Sequence, residues 1–187
     1  MRRATLTICA TFLLIGAFQA RAATPISACG TAITKSGSYV VTKNLAVKTG
    51  ATAGCIFIIS NYVSIDLGGF TINCNGQSVP AITDGGGSLN GIIVRNGIIT
   101  DGCFIGGLSL GFSEGVLVDG VSAIGDHADG IEVGAGSTVL RSVSNDNFIG
   151  AFLKCPSNAI DVVAVDAAGG ISPIGSGCNQ FNDLSEP

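Results

Sequence analysis

Short apolar segments of this 187-residue chain recur at a nearly constant interval. Ile93-Val94-Arg95-Asn96-Gly97-Ile98, Leu117-Val118-Asp119-Gly120-Val121, Val139-Leu140-Arg141-Ser142-Val143 and Asp161-Val162-Val163-Ala164-Val165 look alike. Aligning Val94, Val118, Leu140 and Val162 gives steps of 24, 22 and 22 residues, and a second apolar column, Ile98, Val121, Val143 and Val165, steps by 23, 22 and 22. Upstream, Ile65 lies 29 residues before Val94 and Val41 lies 24 before Ile65, the long step being absorbed by a Gly-rich insertion around Gln77 to Asn90. Units this short cannot bury an apolar face alone; stacked, they enclose one continuous core. Apolar alternation within each unit, with Gly, Asn or Asp at the bends, gives strands. The expectation is an all-β chain, a right-handed single-stranded parallel β-helix (solenoid) of about six coils, with Val94, Val118, Leu140 and Val162 atop one another.

Composition agrees. Gly supplies 28 residues and charged residues only 12%. Helix formers such as Glu, Lys, Gln and Met are scarce beside Val, Ile and Thr, which favours strands broken by turns. A β-sandwich would not hold the same residue classes in register over four repeats.

Alternation points the residue after the first column outward. Those residues are Thr42, Asp66, Arg95, Asp119, Arg141 and Val163. Asp66–Arg95–Asp119–Arg141 would then form a ladder of alternating charge at the ~4.8 Å strand spacing, read either as a register device or as a binding stripe.

The N-terminus reads as a targeting segment. Arg2 and Arg3 precede an apolar run from Ala4 to Phe18, and Ala20-Arg21-Ala22 places small residues where a signal peptidase reads. The run is shorter than the roughly 20 residues that span a bilayer. The division is residues 1–22 as signal peptide and 23–187 as one domain, placed in the periplasm or outside the cell, with no membrane span after cleavage. Removal of the segment leaves 6 basic and 13 acidic residues. That balance repels nucleic acid and anionic lipid.

Six cysteines remain after Cys9 leaves with the segment, and an even count in an exported chain reads as disulfides. Zinc is disfavoured by the absence of any CxxC pair and by a single histidine. Cys74 and Cys103 are 29 apart, matching the step from Ile65 to Val94; Cys155 and Cys178 are 23 apart and Cys29 and Cys55 are 26 apart. Neighbouring coils fall within disulfide reach. The pairing expected is Cys29–Cys55, Cys74–Cys103 and Cys155–Cys178.

Tyr39-Val40-Val41, Val63-Ser64-Ile65-Asp66-Leu67-Gly68-Gly69-Phe70-Thr71-Ile72 and Val94-Arg95-Asn96-Gly97-Ile98-Ile99 resemble the right-handed parallel β-helix repeat proteins, the superfamily often called pectin-lyase-like. The resemblance runs from about Cys29 to Cys178. It implies a secreted or envelope-bound solenoid. Many such proteins cleave or epimerise polysaccharides, and others have no established activity. Ala128-Asp129-Gly130-Ile131 loosely resembles the Asn-Thr-Asp motif of the pectin hydrolases, whose other motifs are missing; Asp126-His127 lacks the Pro and Glu of the alginate epimerase motif.

The densest group of functional side chains is Asp126-His127-Ala128-Asp129-Gly130-Ile131-Glu132. A histidine among carboxylates is an acid–base toolkit. Asp101, Asp126 and Asp146 fall at roughly equivalent bends, at separations bracketing those of glycosidase carboxylates. The candidate catalytic set is Asp126, His127, Asp129 and Asp146. Asp101, Arg141 and Lys154 are the candidate substrate contacts, the two cations neutralising a uronate. Turn chemistry accounts for the same aspartates without catalysis, because Asp side chains bond the local backbone at bends. Phe57, Phe70, Phe104 and Phe152 sit in or beside apolar strand patterns and are expected in the core. Calcium needs only oxygen ligands, but no calcium-loop motif is present, and Gly85-Gly86-Gly87 lacks the Lys-Ser/Thr of a phosphate loop. No cofactor is expected. Two functions stay open, a polysaccharide-active or polysaccharide-binding β-helix and a non-catalytic surface scaffold. An exposed terminal edge would also permit end-to-end self-association.

Overall fold

The computed structural model describes residues 22–165 and 168–185; the expected signal segment through Arg21 lies outside them. Every strand pairing is parallel, and the chain winds into a β-solenoid of about six turns. Three faces make up its wall. The first runs from Thr24–Ile26 through Gly37–Val41, Val63–Asp66, Ile93–Thr100, Leu117–Ile124, Thr138–Leu140 and Asn158–Ile160 to Asn179–Phe181. A second face comprises Leu45–Ala46, Thr71–Asn73, the latter halves of the two eight-residue strands, Val143–Asn145, Val163–Val165 and Leu184–Ser185. Seven strands from Thr31–Ile33 to Ile171–Ile174 form the third. No helix of the described residues is long and apolar enough to cross a membrane.

The stacking corrects the register expected from the repeat. Ile65, Val94 and Val118 share an inward column, which continues through Val139 and Ala159 rather than Leu140 and Val162. At the upstream end Ile65 pairs with Tyr39, not Val41. Ile98 and Val143 lie on an outward column of the second face and are 38% and 37% exposed, whereas Val121 is buried. The inward column there is Ile72, Ile99, Ala123, Ser144 and Ala164.

The bends explain the shift. Asn96, Gly120, Arg141, Asp161 and Asn182 all have φ between 48° and 63° and succeed one another around the corner between the first and second faces. That left-handed corner is favourable for Gly and tolerable for Asn and Asp. At Arg141 it is unfavourable, so the corner is hard to see there in the sequence. Its guanidinium partly offsets this by donating to Asp119, from Nε at 3.0 Å and Nη2 at 2.5 Å. The four-member charge ladder is therefore two separate pairs. Arg95 meets Asp66 at 3.1 Å, Arg141 reaches back to Asp119 from the corner, and Leu140 occupies the rung position beside Asp119.

Toward the C-terminal end the coil shortens, from the 29-residue step at Ile65–Val94 to 20 residues at Val139–Ala159. The inward side chains become smaller along the same direction. Val63, Ile92 and Val116 give way to Ser137 and Ser157 inside, all five buried. The buried hydroxyls are satisfied along the stack: Val116 N donates to Ser137 Oγ at 3.1 Å, and Ser137 N to Ser157 Oγ at 3.1 Å.

All three expected disulfides are present, with Cα separations of 4.1 Å (Cys29–Cys55), 5.1 Å (Cys74–Cys103) and 5.0 Å (Cys155–Cys178). Each closes about one coil, a constraint worth about 3 kcal/mol by chain entropy, and all three are compatible with an oxidising compartment. Of the phenylalanines expected inside, Phe70 packs against the core. Phe57 and Phe152 occupy outward positions of the third face, because the alternating partners Ile56, Ile58, Ala151 and Leu153 take the interior, and Phe104 is 47% exposed at a turn.

Candidate functional site

The bend between the second and third faces repeats a two-residue unit on three successive turns: Cys103-Phe104, Asp126-His127 and Asn147-Phe148. In each the first residue is buried and the second exposed. One carboxylate of the expected catalytic set thus lies inside the wall, and its histidine neighbour lies outside.

Asp126 is 2% exposed. Its Oδ1 accepts from Cys103 N at 3.0 Å, and its own N donates to Asn147 Oδ1 at 2.7 Å. Asn147 closes the stack, donating from Nδ2 to Ala123 O at 3.0 Å and to Ser144 Oγ at 2.7 Å. Asp126 Oδ2 is buried without a hydrogen-bond partner. Burial pushes this carboxyl up to about 7, against the lowering effect of the Cys103 N–H. Its geometry is that of a structural rung.

His127 stacks on Phe104 with ring centroids 4.0 Å apart and planes 16° from parallel. Phe148, one turn further, is 63% exposed. Phe148 holds the corresponding bend position one turn beyond the Phe104–His127 stack. The sequence group around His127 was legible. The ring stack was not, because Phe104 reads as a core residue in or beside an apolar strand pattern.

Asp129 opens the third-face strand Asp129–Val133 and is half-buried; burial first, then the charge of Glu132, raises its carboxyl. Asp101 and Asp146 occupy left-handed bend positions with φ of 64° and 54°, and the residue equivalent to them is Gly125, not Asp126. Asp101 accepts from the Asn73 side chain. Both hold a left-handed backbone conformation, in which Asp is enriched among non-glycine residues. Arg141 stands on a different corner, paired with Asp119.

Lys154 belongs to another group, on the outer surface of the third face. Its Nζ donates to Gly111 O at 2.8 Å, lies 3.7 Å from Glu132 Oε1 and sits 4.6 Å above the Phe112 ring. Ser109 Oγ donates to Glu132 Oε2 at 3.0 Å. Ser109, Phe112 and Glu132 were missed as partners of Lys154. The 23-residue interval between Ser109 and Glu132 carried the signal.

Chemically, the arrangement supplies an aromatic and carboxylate-flanked surface. It does not put Asp126 and His127 on the same side of the wall. Among the described residues no group of three or more His, Cys, Asp or Glu side chains is placed to hold a metal ion. No family model, curated protein or solved structure matches this chain.

Proposed function

We propose that the chain is an exported solenoid of the pectin-lyase-like kind that binds an uncharged extracellular or cell-wall polysaccharide without cleaving it. The observation that carries this reading is the exposed Phe104–His127 ring stack, with Phe148 exposed at the same bend of the next turn. The ~4.8 Å spacing of successive turns is close to the length of one pyranose unit, so successive sugars of an extended glycan would meet successive turns. Ring surface offers apolar contact to sugar C–H groups, and Asp101, Asp129 and Asp146 near the bend offer acceptors to hydroxyls. The excess of acidic residues in the chain disfavours uronates and other anionic glycans. Inward burial of Asp126 speaks against hydrolysis, because a general acid must reach the bond it protonates.

A scaffold without a ligand is the second reading. It is favoured by one observation: Phe104 and His127 each spend a ring face on the other.

Affinity electrophoresis through gels containing neutral or uronate polysaccharides separates the two. The binding reading expects retardation by at least one neutral polysaccharide, loss of roughly tenfold in affinity for Phe148→Ser, and no release of reducing ends. Equal mobility of wild type and Phe148→Ser in every gel would leave the scaffold reading standing alone.

A further inference from the structure

The charges of this chain are segregated by end. From Ala22 to Ile65 it carries Lys35, Lys43 and Lys48 and no acidic residue; beyond Lys154 it carries Asp161, Asp166, Asp183 and Glu186 and no Lys or Arg. Because sequence order is stacking order in a solenoid, the three lysines mark a basic head and, among the described acids, Asp161 and Asp183 mark an acidic tail.

Each pole has a matching shape. At the head, Lys48 borders a cavity of about 370 Å³ that Val47, Gly50, Ala51, Ala53 and Gly54 also line. A second recess of about 230 Å³ lies between Lys43 and Lys48. All three lysines are exposed. At the tail, Asn179–Phe181 and Leu184–Ser185 each pair on one side only among the described residues. Phe181 and Leu184 are 54% and 57% exposed. Asp161 sits exposed at the corner beneath them, its N donating to Phe181 O at 2.9 Å.

We infer that copies of this chain associate head to tail, the Phe181–Leu184 tip of one docking on the Lys48-bordered cavity of the next while Asp161 faces the lysines. An apolar tip meeting a cavity elsewhere on the same molecule makes a heterologous contact, which grows into open chains rather than closed pairs. Like poles repel, so head-to-head and tail-to-tail contacts are disfavoured. Pro25 in the first strand brings no N–H to a strand ladder. The joint is therefore electrostatic and apolar rather than a continuous sheet.

Sedimentation velocity of the full chain, exported and processed by its host, tests this over a concentration series at two salts. At about 0.01 M salt, where the Debye length is ~30 Å, mass grows with concentration past the dimer; at about 1 M, where it is ~3 Å, the monomer returns. Lys48→Glu and Phe181→Ser each weaken association at least tenfold. Asp161→Lys does the same, and that side chain is accommodated because Arg141 already occupies the equivalent corner. Mixing Lys48→Glu with Asp161→Lys copies restores a heterotypic contact. A monomer at every concentration in low salt overturns the inference, as does a closed dimer indifferent to Lys48→Glu. Retention on an anionic polymer through the lysines, without self-association, also overturns it.

Discussion

Val139→Asn unfolds the protein or costs it about 4 kcal/mol, whereas Leu140→Asn, one residue on, costs less than about 1 kcal/mol. Val139 is fully buried in the column of Val94 and Val118, where an amide would lose water and find no partner. Leu140 is on the outer surface of the same strand, beside Asp119. A strand has period two, so a shift of one residue exchanges inside for outside. The repeat as aligned from residue class predicts the opposite ranking, with Leu140 inside. Urea unfolding of the two variants beside wild type, disulfides intact, reads the difference as a change in midpoint. Equal losses, or a larger loss at Leu140, would contradict the register.

Stability falls as pH rises from about 4 to about 7, and Asp126→Asn abolishes most of that fall. The unfolded carboxyl titrates at its ordinary 3.8, while burial holds the folded one up to about 7. Below pH 4 both states are protonated. Between the two values the folded state holds a proton that the unfolded state has released, so unfolding gains with every rise in pH. The full difference is about 4 kcal/mol from this one group. Asp129 and Asp183, whose carboxyls burial also raises, add in the same direction. Asn at 126 keeps an acceptor for Cys103 N and carries no charge, so it extends the rung that Asn147 begins. The variant should gain most at pH 8 and least at pH 4. Thermal unfolding from pH 4 to 8 checks this, and an unchanged slope in Asp126→Asn would show that the inward carboxylate is not the cause.

Fold class and disulfide pairing were legible because they need only the mean coil length. Cys74 and Cys103 find each other whether the coil holds 22 or 29 residues, so long as both follow the same strand. Register was not legible past Val118, and the reason is physical. In the short C-terminal turns Ser137, Ser142, Ser144, Ala159 and Ala164 face inward beside Val139 and Val162, while Leu140, Val143, Ile160 and Val163 face out. Hydrophobicity there does not separate the two sides of the wall. The true register marker is the left-handed corner, visible at Asn96-Gly97 and Gly120 but concealed at Arg141.

The same inversion shaped the reading of the site. Asp126 and His127 look like one acid–base group in sequence, and by spacing Asp126 reads as equivalent to Asp101 and Asp146. Backbone direction separates them: Gly125 takes the turn position, Asp126 turns inward beneath Cys103, and His127 turns out against Phe104. Phe104 and Phe148 gave no separate signal, since an exposed ring in a solenoid has the same neighbours in sequence as a buried one.

Backbone NMR contacts across the first face address the stacking itself, because neighbouring parallel strands bring paired residues to ~4.8 Å. In the uniformly labelled native protein, Val118 should show cross-strand contacts to Val94 on one side and Val139 on the other, and Val139 in turn to Ala159. Contacts from Val118 to Leu140, or antiparallel contacts anywhere along this column, would contradict the solenoid described above.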